Sequence, residues 1–199
     1  MNKMFAEKGY CVVKNALKKE LLDFVTQYTF FDEMQSDSEE DAQVPNAYSK
    51  YADPAMETVL LTLHPLMEKT TGLELDPTYS YYRIYYPGDD LEKHKDRPSC
   101  EISCTLCFNF SYDNYEWPIY MEGNKVVLNP GDMVVYRGTE LEHWRDRFDI
   151  DDENAWHVQG FFHYVDKNGI HADWKYDKRD SIGLTLQNNS TPNYIEYTK

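Results

Sequence analysis

Two hydrophobic patterns divide the chain. Up to residue 76 apolar positions recur at helical spacing, and from 77 to 166 they fall in short, dense runs. Tyr10–Val13 reads as a strand. Asn15 then serves as a helix N-cap ahead of Leu17, Leu21, Leu22, Phe24 and Val25, which keep helical spacing. Residues 36–53 (SDSEEDAQVPNAYSKYAD) are polar and acidic. They predict a mobile surface loop, placed to act as a lid over a groove. Asp53-Pro54 opens a second helix, with Asp as N-cap and Pro in the first turn. Its apolar face holds Met56, Val59, Leu60, Leu63 and Met67; Pro65 predicts a kink near the middle and Gly72 an end.

The second half changes period. YSYYRIYYP (Tyr79–Pro87) is aromatic and β-branched, as strands are, and Pro87-Gly88-Asp89-Asp90 is a turn. His94 and Asp96 follow on an extended piece. Further strands are predicted over Glu101–Ser111, Lys125–Leu128, Met133–Tyr136 and His157–Asp166, with a tight turn at Asn129–Asp132. Residues 167–199 are polar, with Trp174, Tyr194 and Tyr197 as anchors onto the body. The 199 residues suffice for one sizeable core. The expected fold is mostly β with flanking helices around a double-stranded β-helix, the jelly-roll or cupin-like core. One domain, 1–199, divides into an N-terminal strand and helices (1–76), the core (77–166) and a C-terminal extension (167–199).

His94-Lys95-Asp96 carries the most chemistry, together with His143, which lies 47 residues after Asp96. Residues two apart on a strand share a face. Two imidazoles and one carboxylate make a facial triad for divalent iron, with the opposite positions left open. Singly, each is as ordinary as any polar residue at a strand end. A jelly roll brings such early and late strands together at one open end. Cys100, Cys104 and Cys107 have the spacing of an iron–sulfur motif, but EISCTLCF is strand-like. Cys100 and Cys104 would share one face and Cys107 the other, so buried thiols are the better reading.

From Pro77 to Asp166 the chain resembles the iron(II)/2-oxoglutarate-dependent oxygenases, in their prolyl-4-hydroxylase-like branch. The matching pieces are YRIYYPGDDLEKHKD, the strand after it, NPGDMVVYRGTELEHW and FFHYVD; the N-terminal GYCVVKNALKKELLDFV is similar to the entry strand and helix. The resemblance implies Fe(II) on His94, Asp96 and His143, with 2-oxoglutarate as cosubstrate and O2 as oxidant. It implies hydroxylation of an unactivated C–H, in a protein or peptide residue such as proline. The same chemistry on a free amino acid or metabolite is the alternative, beside a non-catalytic metal-binding jelly roll and a zinc hydrolase. Relatives carry Arg or Lys on the last core strand for the far carboxylate of 2-oxoglutarate. Here that position falls near His157, no Arg or Lys lies on the strand, and an acidic insertion (Asp146–Asn154) precedes it. His157 as an imidazolium is the favoured anchor, with Arg145 as alternative or helper and Arg147 as a third candidate. Tyr86 aligns, through Y-P-G, with a tyrosine that reaches 2-oxoglutarate, or else packs in the strand. Tyr82, Ser103 and Thr105 are placed to line the pocket. Arg97 would clamp a substrate carboxylate or pair with Glu101. Trp144 would wall the substrate cleft or pack in the core.

Composition narrows the partners. A net charge of −15 and a pI near 4.7 disfavour a nucleic-acid partner. No apolar run is long enough for a membrane span, and MNKMFAEKGY has no signal-peptide pattern. Together with the low count of four cysteines, this predicts a cytoplasmic protein. Nothing in the pattern assigns an oligomeric state.

Overall fold

The computed structural model describes residues 2–36 and 41–184. In chain order its elements are α1 (Lys3–Lys8), β1 (Tyr10–Val13), α2 (Lys19–Gln35), β2 (Tyr48–Tyr51), α3 (Pro54–Thr71), β3 (Leu75–Tyr85), β4 (Leu91–His94), β5 (Ile102–Phe110), β6 (Ile119–Met121), β7 (Asn124–Val126), β8 (Met133–Arg137), β9 (His143–Arg145) and β10 (His157–Asp166). Short 3-10 turns occupy Pro98–Cys100 and Ala172–Lys178.

The strands form two antiparallel sheets, one ordered β1-β8-β5-β10-β3-β2 and the other β4-β9-β6-β7. This is the expected jelly roll with flanking helices. Period-two alternation sorts each long strand into two cores. One set, including Tyr82, Ile84, Cys104, Leu106, Val135, Phe162 and Tyr164, packs under α2 and α3 with Val25, Met56, Leu60, Leu63 and Met67. The alternate set points between the sheets. There Tyr85 and Phe161 meet Leu91, Trp117 and Phe148, and Cys107, Val134 and Tyr136 meet Ile119 and Met121. Both faces of β3 are covered, which explains why YSYYRIYY shows no polar–apolar alternation. Met56, Leu60 and Met67 are fully buried; truncating any one to Ala costs about 2–5 kcal/mol.

Several local expectations change. Helix α2 starts at Lys19 rather than at Asn15, and Lys18 caps it without a side-chain bond. Asn15 sits at a left-handed φ of 51° and its amide donates to Asp132 Oδ1. Asp132 also accepts from Lys14 Nζ and the Asn129 amide, so this turn is organised by β8, not by the helix. Phe24 lies on the exposed side of α2. Helix α3 runs through Pro65. Pro65 lies on the exposed side, as does Leu61, whose carbonyl has no helical N–H to accept from there because proline carries none. Residues 41–53 are not a free surface loop. Asp41 is buried, Val44 and Ala47 pack with Tyr85 and Trp117, and Tyr48–Tyr51 forms β2 at the sheet edge. Cys100 lies in a 3-10 turn rather than on a strand face shared with Cys104. Cys11, Cys100, Cys104 and Cys107 are all free and buried. Of the predicted C-terminal anchors, Trp174 stacks under Lys178, while Tyr194 and Tyr197 lie outside the described residues.

Candidate metal centre and the buried arginine beside it

His94 ends β4 and His143 begins β9, and register pairs the two directly. Asp96 lies in the loop after β4, its amide donating to the Gly138 carbonyl at 2.9 Å. Asp96 Oδ1 stands 3.6 Å from His94 Nε2 and 3.5 Å from His143 Nε2. Each Nδ1 is committed to a carbonyl, His94 to Glu92 at 2.8 Å and His143 to Leu141 at 3.0 Å. A carbonyl only accepts, so each Nδ1 carries a hydrogen, and Nε2 is the nitrogen that each ring turns toward Asp96. Burial pushes the Asp96 carboxyl up, but hydrogen bonds from His143 and His94 outweigh it and hold the group below the usual carboxylate range. Two imidazole nitrogens and a carboxylate on one side of a common point fit a divalent ion with open positions opposite. Gly138 is required here: a Cβ would lie 2.2 Å from the Cys100 carbonyl and 2.3 Å from Asp96 Oδ2.

The opposite wall is a row across the larger sheet, since register places Tyr79, His163, Ser103 and Tyr136 side by side. Ser103 Oγ reaches Asp96 Oδ2 at 3.3 Å and His163 Nδ1 at 2.8 Å. The Tyr136 ring lies 4.8 Å from His143, and its hydroxyl 3.3 Å from Thr105 Oγ1.

Deeper between the sheets is a second polar group. Arg145 shares the inner face of β9 with His143. Its Nη1 donates to the Trp117 carbonyl at 2.7 Å and its Nη2 to Gln159 Oε1 at 2.8 Å, with the guanidinium over the Trp117 ring. Arg145 Nε and Gln159 Nε2 are buried without partners among the described residues. Among the described residues no carboxylate pairs with Arg145. Burial favours loss of its charge, yet an arginine stays protonated, so an uncompensated cation faces the barrel interior.

His157 adjoins Arg145 but is not a cation. Burial, then the Arg145 charge, pull its pKa down to about 3. Its Nε2 lies 2.8 Å from Gln159 Oε1, an acceptor, and its Nδ1 2.8 Å from the Tyr112 hydroxyl. A neutral ring donating to Gln159 and accepting from Tyr112 satisfies both, which corrects the imidazolium expectation. Tyr86 does not face this space. It donates to Glu33 of α2 at 2.6 Å and packs on the helix-side core, whereas Tyr85 points inward. Tyr82 likewise turns to α2, donating to Asp32. Arg147 is exposed. Arg97 is held bidentately by Asp177 at 2.6 and 2.8 Å and lies over the Tyr79 ring, so its partner is neither Glu101 nor open space. Trp144 projects from the outer face of β9, stacked on Tyr120 and beneath Lys93, away from the triad. The motifs missed Tyr85, Trp117 and Tyr112; Gln159, two residues after His157, shares its inward strand face as the alternation predicts.

A helix-covered jelly roll with two histidines and an aspartate converging at one end defines a class, the fold of the 2-oxoglutarate–Fe(II) oxygenases. Solved structures similar to this chain belong to it. A prolyl-4-hydroxylase from Pseudomonas putida is 17% identical, with 80% of this chain and 95% of that one covered and a TM-score of 0.64. A prolyl hydroxylase from Trichoplax adhaerens, solved with a hypoxia inducible factor peptide fragment, is 11% identical over 82% of this chain and 86% of that one, with a TM-score of 0.63. The epimerase SnoN, solved with Fe3+, alpha ketoglutarate and nogalamycin RO, is 10% identical over 81% of this chain and 80% of that one, with a TM-score of 0.67. No family model matches the sequence, and no curated protein is similar to it in sequence. No helix among the described residues is long and apolar enough to cross a membrane.

Proposed function

We propose that this protein is an Fe(II)- and 2-oxoglutarate-dependent dioxygenase that hydroxylates an unactivated C–H, in a protein or peptide residue such as proline. His94, Asp96 and His143 would hold the iron. Arg145 would hold the far carboxylate of 2-oxoglutarate, with His157 and Gln159 as neutral neighbours that fix its direction. The observation that carries the reading is the buried, carboxylate-free guanidinium of Arg145, two residues after His143 on one strand face. That spacing is about 7 Å along the strand, a reach suited to a five-carbon diacid chelating the metal at its other end. Bound iron and 2-oxoglutarate supply the oxidising power for inserting oxygen from O2. The protein residues orient both partners and keep water out: Tyr85, Phe161 and Trp117 wall the space with apolar rings.

A small-molecule substrate is the second reading. Val44 and Ala47 pack among the inter-sheet residues, and Asp41 ties its segment to Arg83, which faces the same interior, so access beside the barrel is narrowed. A free amino acid is less favoured, because the proposed clamp Arg97 is already engaged by Asp177. The test is an anaerobic titration with Fe(II) and 2-oxoglutarate, followed by the weak visible charge-transfer band of the chelate. The band should appear in the wild type and vanish in His94→Ala. Confirmed iron binding without the band would refute the 2-oxoglutarate reading.

A further inference from the structure

A second set of donors backs onto the triad. One ligand atom each from Asp96, Cys100 and His163 lies within 4.8 Å of the other two. They come from different parts of the fold: the loop after β4, the 3-10 turn Pro98–Cys100, and the inner face of β10. Cys100 and His163 are buried.

The hydrogen bonds around His163 fix its tautomer. Ser103 Oγ lies 2.9 Å from the Cys100 carbonyl, so the hydroxyl donates there. His163 Nδ1, 2.8 Å from the same oxygen, then donates to it, and Nε2 keeps its lone pair. His94 and His143 likewise donate through Nδ1, to carbonyl partners, as metal-bound histidines do. Burial keeps the His163 ring neutral, with its pKa pulled down to about 4. Tyr79 Oη lies 3.0 Å from Cys100 Sγ, placed to donate to a thiolate, and the Arg97 guanidinium lies over the Tyr79 ring at 4.5 Å. Thiolate sulfur makes this set softer than the N/O triad, and soft donors favour zinc-like ions.

We propose that Asp96, Cys100 and His163 form a second metal position, for a borderline-soft divalent ion such as zinc, which shares Asp96 with the triad. On binding, the Cys100 S–H proton passes to solvent and a sulfur–metal bond forms in its place. Because one carboxylate serves both positions, an ion held there draws on a ligand the iron site needs. Zinc would thus compete with iron without displacing either triad histidine.

Cobalt(II), added anaerobically to the metal-free full-length chain, separates the two positions by spectrum. The triad contains no sulfur, so cobalt there gives only weak visible d–d bands. Ligation by Cys100 adds a sulfur-to-cobalt charge-transfer band in the near ultraviolet. The band is expected in the wild type and in His94→Ala, and should be lost in Cys100→Ser, which keeps the triad's d–d bands. His163→Gln should weaken cobalt binding at the sulfur position tenfold or more. No near-ultraviolet band in the wild type overturns the proposal, and so does a band that survives Cys100→Ser. Should Cys100→Ser fail to fold by circular dichroism, His163→Gln decides: unchanged affinity at the sulfur band refutes the site. Failure of the iron reading looks different, since the triad's d–d bands would then be missing whatever the sulfur band does.

Discussion

Replacing Arg145 by Gln removes the guanidinium while keeping a donor of similar reach. Truncating one partner of a buried, hydrogen-bonded charge pair costs roughly 2–5 kcal/mol. The remaining amide and the neutral neighbours His157 and Gln159 place this change toward the lower end, about 2–4 kcal/mol. At about 1.4 kcal/mol per tenfold, that is a roughly 30- to 700-fold weaker affinity for 2-oxoglutarate. The assay is an anaerobic titration of the iron-loaded protein, backed by thermal unfolding. A ligand at 100 times its Kd stabilises the wild type by about 2.7 kcal/mol, and in Arg145→Gln at the same concentration that should fall below about 0.9 kcal/mol. His157→Gln exchanges one neutral group for another and should change affinity less than about fivefold. Between pH 6 and 8 the wild-type affinity should be flat, because His157, with its pKa near 3, carries no charge in that range. An affinity within threefold of wild type in Arg145→Gln, or one that falls as pH rises through neutrality, would refute the assignment.

Gly138→Ala should lower Fe(II) or Co(II) affinity at least tenfold, because its new methyl meets the Asp96 carboxylate and the Cys100 carbonyl; metal titration of the folded variant checks this. Asp41→Asn leaves Arg83 buried and uncompensated beside Gln43 and Tyr85. The loss should be about 3–5 kcal/mol in urea unfolding, and less than 1 kcal/mol would show that the 41–47 segment is not latched by this pair. Acid stability follows from the two buried neutral histidines, His157 near 3 and His163 near 4. Both lie below their unfolded value, so as pH falls below about 6.5 the unfolded chain takes up protons the folded chain refuses. The pair's contribution to the stability of the metal-free protein is therefore full above that pH and declines toward pH 4, with a limiting slope of about 3 kcal/mol per pH unit; a flat profile over that window would contradict their neutral burial. Trp144→Ala should leave metal and 2-oxoglutarate affinities within about twofold, since the ring faces away from the triad.

The framework was legible where local chemistry dictates it. Asp53-Pro54 and Gly72 marked α3 to the residue, because caps and turns act over a few positions. H-x-D with a late histidine led to three side chains that the fold brings together. Errors arose where tertiary context decides. Asn15 had the composition of an N-cap, but Asp132, more than a hundred residues away, claims its amide. The acidic 36–53 stretch looked like a solvated loop because nothing local reveals that Arg83 waits for Asp41. Tyr85 and Tyr86 are indistinguishable by type, and only the strand phase decides which faces the interior. That phase was recoverable from His157 and Gln159 through pairing, which puts His157 opposite Tyr85, but pairing is not written in one strand. Arg97 and Trp144 were drawn toward the site by adjacency to its ligands. Neighbours on a strand point the opposite way, and Arg97's carboxylate comes from eighty residues later.

The arginines of the interior supply their own control for the reading of Arg145. Arg83 is paired with Asp41, Arg97 with Asp177 and Arg179 with Glu57, each pair largely or wholly removed from solvent. A chain with 35 acidic residues has carboxylates to spare, and at three positions the fold brings one inward to meet a guanidinium. Burying a charge without a partner costs several kcal/mol, so pairing is the outcome stability alone favours. At Arg145 the fold instead supplies a backbone carbonyl, an amide oxygen, a tryptophan face and a histidine held neutral. These orient the guanidinium without cancelling its charge, and its own Nε and the neighbouring Gln159 Nε2 have no partner among the described residues. A structural role would be better served by an aspartate at Gln159 or His157. What these neutral neighbours preserve is the capacity to bind an anion from outside, on the same strand face as a metal ligand. It is this exception to the chain's own rule, more than resemblance in motif, that supports the proposed dicarboxylate site.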